Sequence, residues 1–219
     1  MNVKPRKLLA VFLGLTGIGL IVFVTAPILS YEIASRQKYP TIISPLTKNE
    51  SLKGTLEKDY KDPETWFDKN INDEDSGSHE VEFYTLSIPK LKIKDARVYF
   101  GGEDLSKNLI QIPGTAVPGR VGNTVIFGHS VLPIFFNPEN YLTIFSTLPR
   151  LEVGDEFSVK YDGITYSYIV KDMFEVMPSD IQILEQNTDS SYISLVTCVP
   201  PGHPLKPRRL VVRAKIQPV

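Results

Sequence analysis

Phe157-Ser158-Val159-Lys160-Tyr161-Asp162-Gly163-Ile164-Thr165-Tyr166-Ser167-Tyr168-Ile169-Val170 reads as two strands folded about a two-residue turn. Asp-Gly accepts the left-handed conformation that tight hairpins need, and both flanking runs are rich in β-branched and aromatic residues. The same character recurs on either side. Phe83-Tyr84-Thr85-Leu86-Ser87-Ile88 closes at Pro89, Ala96-Arg97-Val98-Tyr99-Phe100 at Gly101-Gly102, and Val125-Ile126-Phe127 at Gly128-His129. Tyr192 to Cys198 and Arg209 to Ile216 are two more such runs. Short strands without regular helices between them argue for an all-β fold closed into a barrel, not a doubly wound sheet.

A chain of 219 residues, 42% hydrophobic, can bury one good-sized core but hardly two. The formal net charge of -1 leaves no basic excess to hold a nucleic-acid backbone, so that class of partner is disfavoured. Cys198 is the single cysteine, which rules out an internal disulfide framework.

Lys4, Arg6 and Lys7 precede an uncharged run from Leu8 to Tyr31 that is long enough to cross a bilayer as a helix. A cleaved signal peptide is the weaker reading, because the run exceeds a usual apolar h-region and Ala26-Pro27 is a poor cleavage site. The basic flank places the N-terminus in the cytoplasm and everything after about residue 31 outside. The expected organisation is a cytoplasmic N-terminus and transmembrane anchor over 1–34, an extracytoplasmic stalk over 35–80 and a β-barrel over 81–219. Within the stalk, Asp62-Pro63-Glu64-Thr65-Trp66-Phe67 holds the only Trp. It is either a lid over a cleft or a cover for the apolar edge of the barrel, and the cover is favoured.

Cys198 ends an apolar strand and is followed by Val199-Pro200-Pro201-Gly202, which cannot continue a ladder, so it belongs at a sheet rim. An isolated Cys is ordinarily a small buried hydrophobe, and a lone His at a strand end is ordinarily a turn residue. His129, however, has the same rim placement, directly after Gly128. Arg209 opens the strand expected to pair with that of Cys198. If Leu210 and Val212 face the core, Arg209, Val211 and Arg213 face the other way, while Arg208 shares the core parity and lies in the loop. Arg213 reads as a solvated edge charge. His203 reads as a loop residue and His79 as part of the stalk. Glu152, Asp155 and Asp162 read as solvated acids, so no metal and no cofactor is expected.

These elements together resemble the sortase family. Leu195-Val196-Thr197-Cys198 is similar to that family's Thr-Leu-X-Thr-Cys signature, and Pro113-Gly114-Thr115-Ala116 through Gly122 to His129 is similar to its approach to the catalytic His. Leu86 to Leu91 resembles the family's first strand, and Arg209-Leu210-Val211-Val212-Arg213 its last. The likeness runs over about residues 80 to 219 in the family's order. Ser194 stands where Thr is usual, and Ser130 follows the His where a basic residue is common.

The resemblance implies an eight-stranded sortase-type β-barrel with short helices in its loops, and two-step transpeptidation. Cys198 would attack a sorting-signal carbonyl to form a thioester, and an amine from a cell-wall precursor or a pilin would resolve it. His129 would act as acid and base, and Arg209 would stabilise the oxyanion. Met177 to Asn187 would help shape the peptide groove. Implied partners are secreted proteins bearing sorting signals, that amine, and the membrane through the N-terminal helix. Pilus-type members often carry an Asp-Pro-aromatic lid and a second, C-terminal span; the looser spacing at Asp62 and the end of the sequence at Val219 favour wall anchoring. Two rival readings are another extracytoplasmic cysteine peptidase or L,D-transpeptidase, and a catalytically silent anchored barrel that binds a partner at its rim. The Ser-His-Gly-Cys context of L,D-transpeptidases is unlike Val196-Thr197-Cys198-Val199.

Overall fold

The computed structural model describes residues 5–40, 82–102 and 104–218. Helix α1 spans Pro5–Lys38. Eight strands follow: β1 (Phe83–Ile88), β2 (Ile93–Phe100), β3 (Leu109–Gln111), β4 (Gly122–Phe127), β5 (Glu156–Tyr161), β6 (Ile164–Val176), β7 (Ser191–Val199) and β8 (Arg208–Ile216). They close into a barrel in the order β1-β2-β3-β4-β7-β8-β6-β5, with β5 returning to β1. The β2–β3 and β4–β7 pairs are parallel and the others antiparallel. Short 3₁₀ turns occupy the loops, at Pro89–Leu91, Pro133–Phe135, Leu148–Arg150 and Ile181–Leu184.

Alternation along each strand sorts side chains to two faces. Leu86, Val98, Ile126, Val159, Tyr168, Leu195, Leu210 and Val212 fill the barrel interior. Val125, Phe127, Phe174, Val176, Val196 and Val211 form a second apolar cluster on the outer wall, covered in part by Ile183. Strands β4, β7 and β8 are therefore buried on both faces, which is why they read as nearly continuous apolar runs.

The expected barrel is present, and its differences from the sequence reading have local causes. β3 is only three residues long and carries no period to detect. β2 begins at Ile93 because the Pro89–Leu91 turn ends at Lys92, whose φ of 59° redirects the chain. β6 runs on to Val176, because a bulge between Val170 and Asp172 in its pairing with β8 breaks the alternation at Lys171. Arg208 opens β8 instead of lying in the loop. The helix continues beyond Tyr31 to Lys38, and Tyr39 is buried in the barrel's main core. The Asp62 to Phe67 segment and His79 lie outside the described residues.

Gly128 shows how tightly the barrel's main core is packed beside His129. A Cβ there would lie 2.5 Å from Phe145 Cδ2 and 2.7 Å from Leu109 Cδ2. Gly128→Ala is expected to cost about 1–3 kcal/mol through overpacking. Thermal denaturation reads this as a lowered Tm, and an unchanged Tm would contradict the close approach.

Candidate active site

Register places the three candidate residues in one row. In the parallel β4–β7 pair Phe127 stands beside Val196. His129 lies two residues beyond that last pair, just past the end of β4, and the alternation continued past it would set His129 level with Cys198. In the antiparallel β7–β8 pair Cys198 stands directly opposite Arg209. Cys198 and Arg209 share the outward parity of Val196 and Val211, and His129 continues that of Val125 and Phe127 beyond the strand end. The reading by alternation thus agrees with the observed pairing, and Arg209, not Arg208, is the arginine on the face of Cys198.

The row is held by backbone and hydroxyl contacts. Gly128 N–H donates to Val196 O at 3.1 Å, and Phe145 N–H donates to His129 O at 3.0 Å. Thr197 Oγ1 donates to Gly128 O at 2.7 Å. Ser130 Oγ donates to Cys198 O at 2.6 Å, so the residue that departs from the family pattern ties the segment after His129 to the end of β7. His129 is half-buried. Cys198 is 5% exposed and Arg209 0%, so both are largely shielded from solvent. Arg209 Nη1 donates to Lys206 O at 3.1 Å and Arg208 O at 3.4 Å, which orients the guanidinium against the loop between β7 and β8.

Along the same face as this row lies a polar network that the sequence did not signal. Ser194 Oγ donates to Asn123 Oδ1 at 2.8 Å, and Asn123 Nδ2 donates to Ile183 O at 2.9 Å. Gln186 Oε1 accepts from Asn123 N–H at 3.0 Å and from Ala116 N–H at 3.2 Å. The Met177 to Asn187 segment is thereby fastened to β4, and the hydroxyl of Ser194 does work that a Thr hydroxyl could also do. Nothing in residue type or spacing announces Asn123 or Gln186, because their partners, mostly main-chain groups and for Asn123 also the Ser194 hydroxyl, are brought close only by the fold.

Arg213 is not a solvated edge charge. It stands opposite Ser194, its Nε donates to Ser194 Oγ at 3.3 Å, and its guanidinium lies 5.4 Å from the centre of the Phe174 ring. Burial lowers its pKa from the ordinary arginine value. With Phe174, Val176, Asp180, Ile183 and Glu185 it lines a pocket on the outer wall, along the strands from Cys198. Such a pocket can take one side chain of an extended peptide.

The other titratable candidates are engaged elsewhere. Lys90 Nζ lies 2.8 Å from Asp155 Oδ2 and 3.2 Å from Glu152 Oε2. Asp162 holds the hairpin turn with a φ of 48°. His203 Nδ1 accepts from Leu205 N–H at 3.1 Å within its loop. Among the described residues no group of three or more His, Cys, Asp or Glu could hold a metal ion.

A family profile described as Sortase domain matches residues 86–217. Among solved structures, a sortase D5 transpeptidase of Clostridium perfringens is 26% identical with a TM-score of 0.53, the match covering 63% of this chain and 79% of that one. Sortase C1 of Streptococcus agalactiae is 31% identical at a TM-score of 0.53, covering 63% and 67%. A lid mutant of sortase A from Corynebacterium diphtheriae is 26% identical at a TM-score of 0.54, covering 67% and 76%. No curated protein sequence is a significant match.

Proposed function

The chain belongs to the sortase family, and from that premise we propose that Cys198, His129 and Arg209 carry its cysteine transpeptidase chemistry on sorting-signal peptides outside the membrane. The observation that supports these roles is the single outward-facing row across the ends of β4, β7 and β8.

Cys198 Sγ attacks the carbonyl carbon of the scissile peptide bond as thiolate, since a thiol with an ordinary pKa of about 8.5 is mostly protonated at neutral pH. Arg209, opposite it, offers guanidinium N–H groups to the oxyanion of the tetrahedral intermediate. His129 gives its proton to the departing amine, the C–N bond breaks, and a thioester remains on Cys198. An incoming amine from a cell-wall precursor or a pilin loses its proton to His129 and attacks the thioester. A new amide bond forms and the thiol is restored. The outer pocket beside Arg213, Asp180 and Glu185 would take a side chain of the sorting signal. The barrel over 81–219 is the catalytic unit in this reading, and the helix of the 1–34 segment anchors it with the N-terminus inside, its uncharged run from Leu8 to Tyr31 being long enough to span.

The test is covalent capture. The full chain is incubated with a library of sorting-signal peptides, and Cys198 is searched by mass spectrometry for an acyl adduct that added amines discharge to a ligated product. No adduct with any peptide, together with a thiol that ignores alkylating agents, would sink the enzymatic roles and leave a binding barrel.

A further inference from the structure

The end of α1 is not a free tether. Tyr31 OH donates to Glu175 Oε1 at 2.7 Å, Arg208 pairs with Glu32, and Arg208 Nε lies 3.0 Å from Glu175 Oε2. Nearly two turns further on, Lys38 Nζ donates to Pro149 O and Leu151 O, both at 3.1 Å, and Tyr39 OH donates to Pro149 O at 2.9 Å. Glu175 N–H donates to Pro40 O at 3.2 Å, and Ser35 is buried. The helix end thus meets two separate parts of the barrel, the β6–β8 edge and the turn at Leu148–Arg150.

Two features mark this as a built interface. Glu175 is 2% exposed and faces inward opposite Leu210, so its charge needs partners, and α1 supplies one of them. Tyr39 joins the barrel's main apolar core, where burial and the nearby Glu175 push its phenol above the ordinary tyrosine value. Attachment by a flexible stalk would use none of these contacts.

The docking point also lies at the end of the barrel that holds the reactive row. β4 and β7 finish there, β8 starts there, and β6 ends there with Val176 opposite Arg209. Arg208, which grips Glu32, is the immediate neighbour of Arg209, about 3.8 Å away along the backbone. Glu32 directly follows the uncharged run that ends at Tyr31, so it stands at headgroup level when that run spans the bilayer.

We infer that the polar cluster of Tyr31, Glu32, Glu175 and Arg208 locks the anchor helix onto the barrel and holds the reaction rim against the membrane surface. The rim then works on peptides presented at that surface in preference to peptides free in solution. The substrate preference rests on the proposed transpeptidase reading, whereas the lock itself does not.

Two measurements on the full chain in phospholipid vesicles test this. In a Cys198→Ala background, spin labels at Gln37→Cys and Val153→Cys should give one narrow distance distribution, which Glu32→Arg broadens by setting two cations against each other. A broad distribution in the chain that retains Glu32 overturns the lock, whatever the enzymatic activity proves to be. In the native-cysteine chain, vesicles carrying a maleimide-headgroup lipid should alkylate Cys198 about tenfold faster than in the Glu32→Arg variant, because surface tethering raises the local reagent concentration. Soluble N-ethylmaleimide should react with both at the same rate. A lipid-maleimide rate unaffected by Glu32→Arg, or a parallel fall with both reagents, rejects placement of the rim at the surface.

Discussion

Cys198→Ala is expected to abolish both acyl-adduct formation and peptide transfer. The chain contains one sulfhydryl, and no other side chain in the row can form a thioester. The residue is nearly buried, at the last turn of the ladder with β8, and its side chain is small, so Ala fills the same place with little disturbance. The barrel should therefore keep its Tm to within a few degrees while the intact mass no longer rises on incubation with peptide. Cys198→Ser should fall nearly as far, because a hydroxyl ionises far less readily than a thiol at neutral pH. An adduct that persists on Cys198→Ala would move the chemistry to another residue. Loss of transfer accompanied by loss of folding would be uninformative for Ala alone, and the isosteric Ser variant guards against that outcome.

How much of this was legible in advance depended on whether a residue's partners were set by local periodicity. The relation of Cys198 to Arg209 could be read because strict alternation in Leu210-Val211-Val212 survives into the folded strand, and both residues border loops that end the ladder. The hairpin around Asp162-Gly163 was equally plain. β3 was invisible because three residues have no measurable period. The end of β6 was hidden by the bulge at Lys171, which changes the parity of Met173 and Phe174. Arg213 looked solvated because sequence shows which face a side chain takes, but not that the Ile181–Leu184 turn folds over that face. The junction of Glu32 with Arg208 was the least accessible of all, since it links a helix to a strand through contacts that no local pattern encodes. The apolar helix was recognised from its composition, but its docking onto the barrel depends on Tyr31, Glu32 and Lys38, whose partners lie far along the chain.

Arg209→Lys is expected to lower kcat/KM for transfer by about 10²–10³-fold, in the range seen when a preorganised oxyanion donor is removed. Charge is conserved in this variant, so the loss isolates geometry. Arg209 is fully buried, and its Nη1 is committed to the carbonyls of Lys206 and Arg208. A guanidinium has five donors in a rigid fork, so one edge can hold the loop while others remain for the oxyanion. An ammonium has three donors at a single point and must satisfy the loop carbonyls or the substrate, but not both well. The fall should appear mainly in kcat, because the oxyanion forms only in the transition state, and the yield of acyl adduct at long times should recover even as its rate of formation drops. A variant with full activity would show that Arg209 serves only to fasten the β7–β8 loop. A rise in KM at constant kcat would assign it instead to binding the peptide.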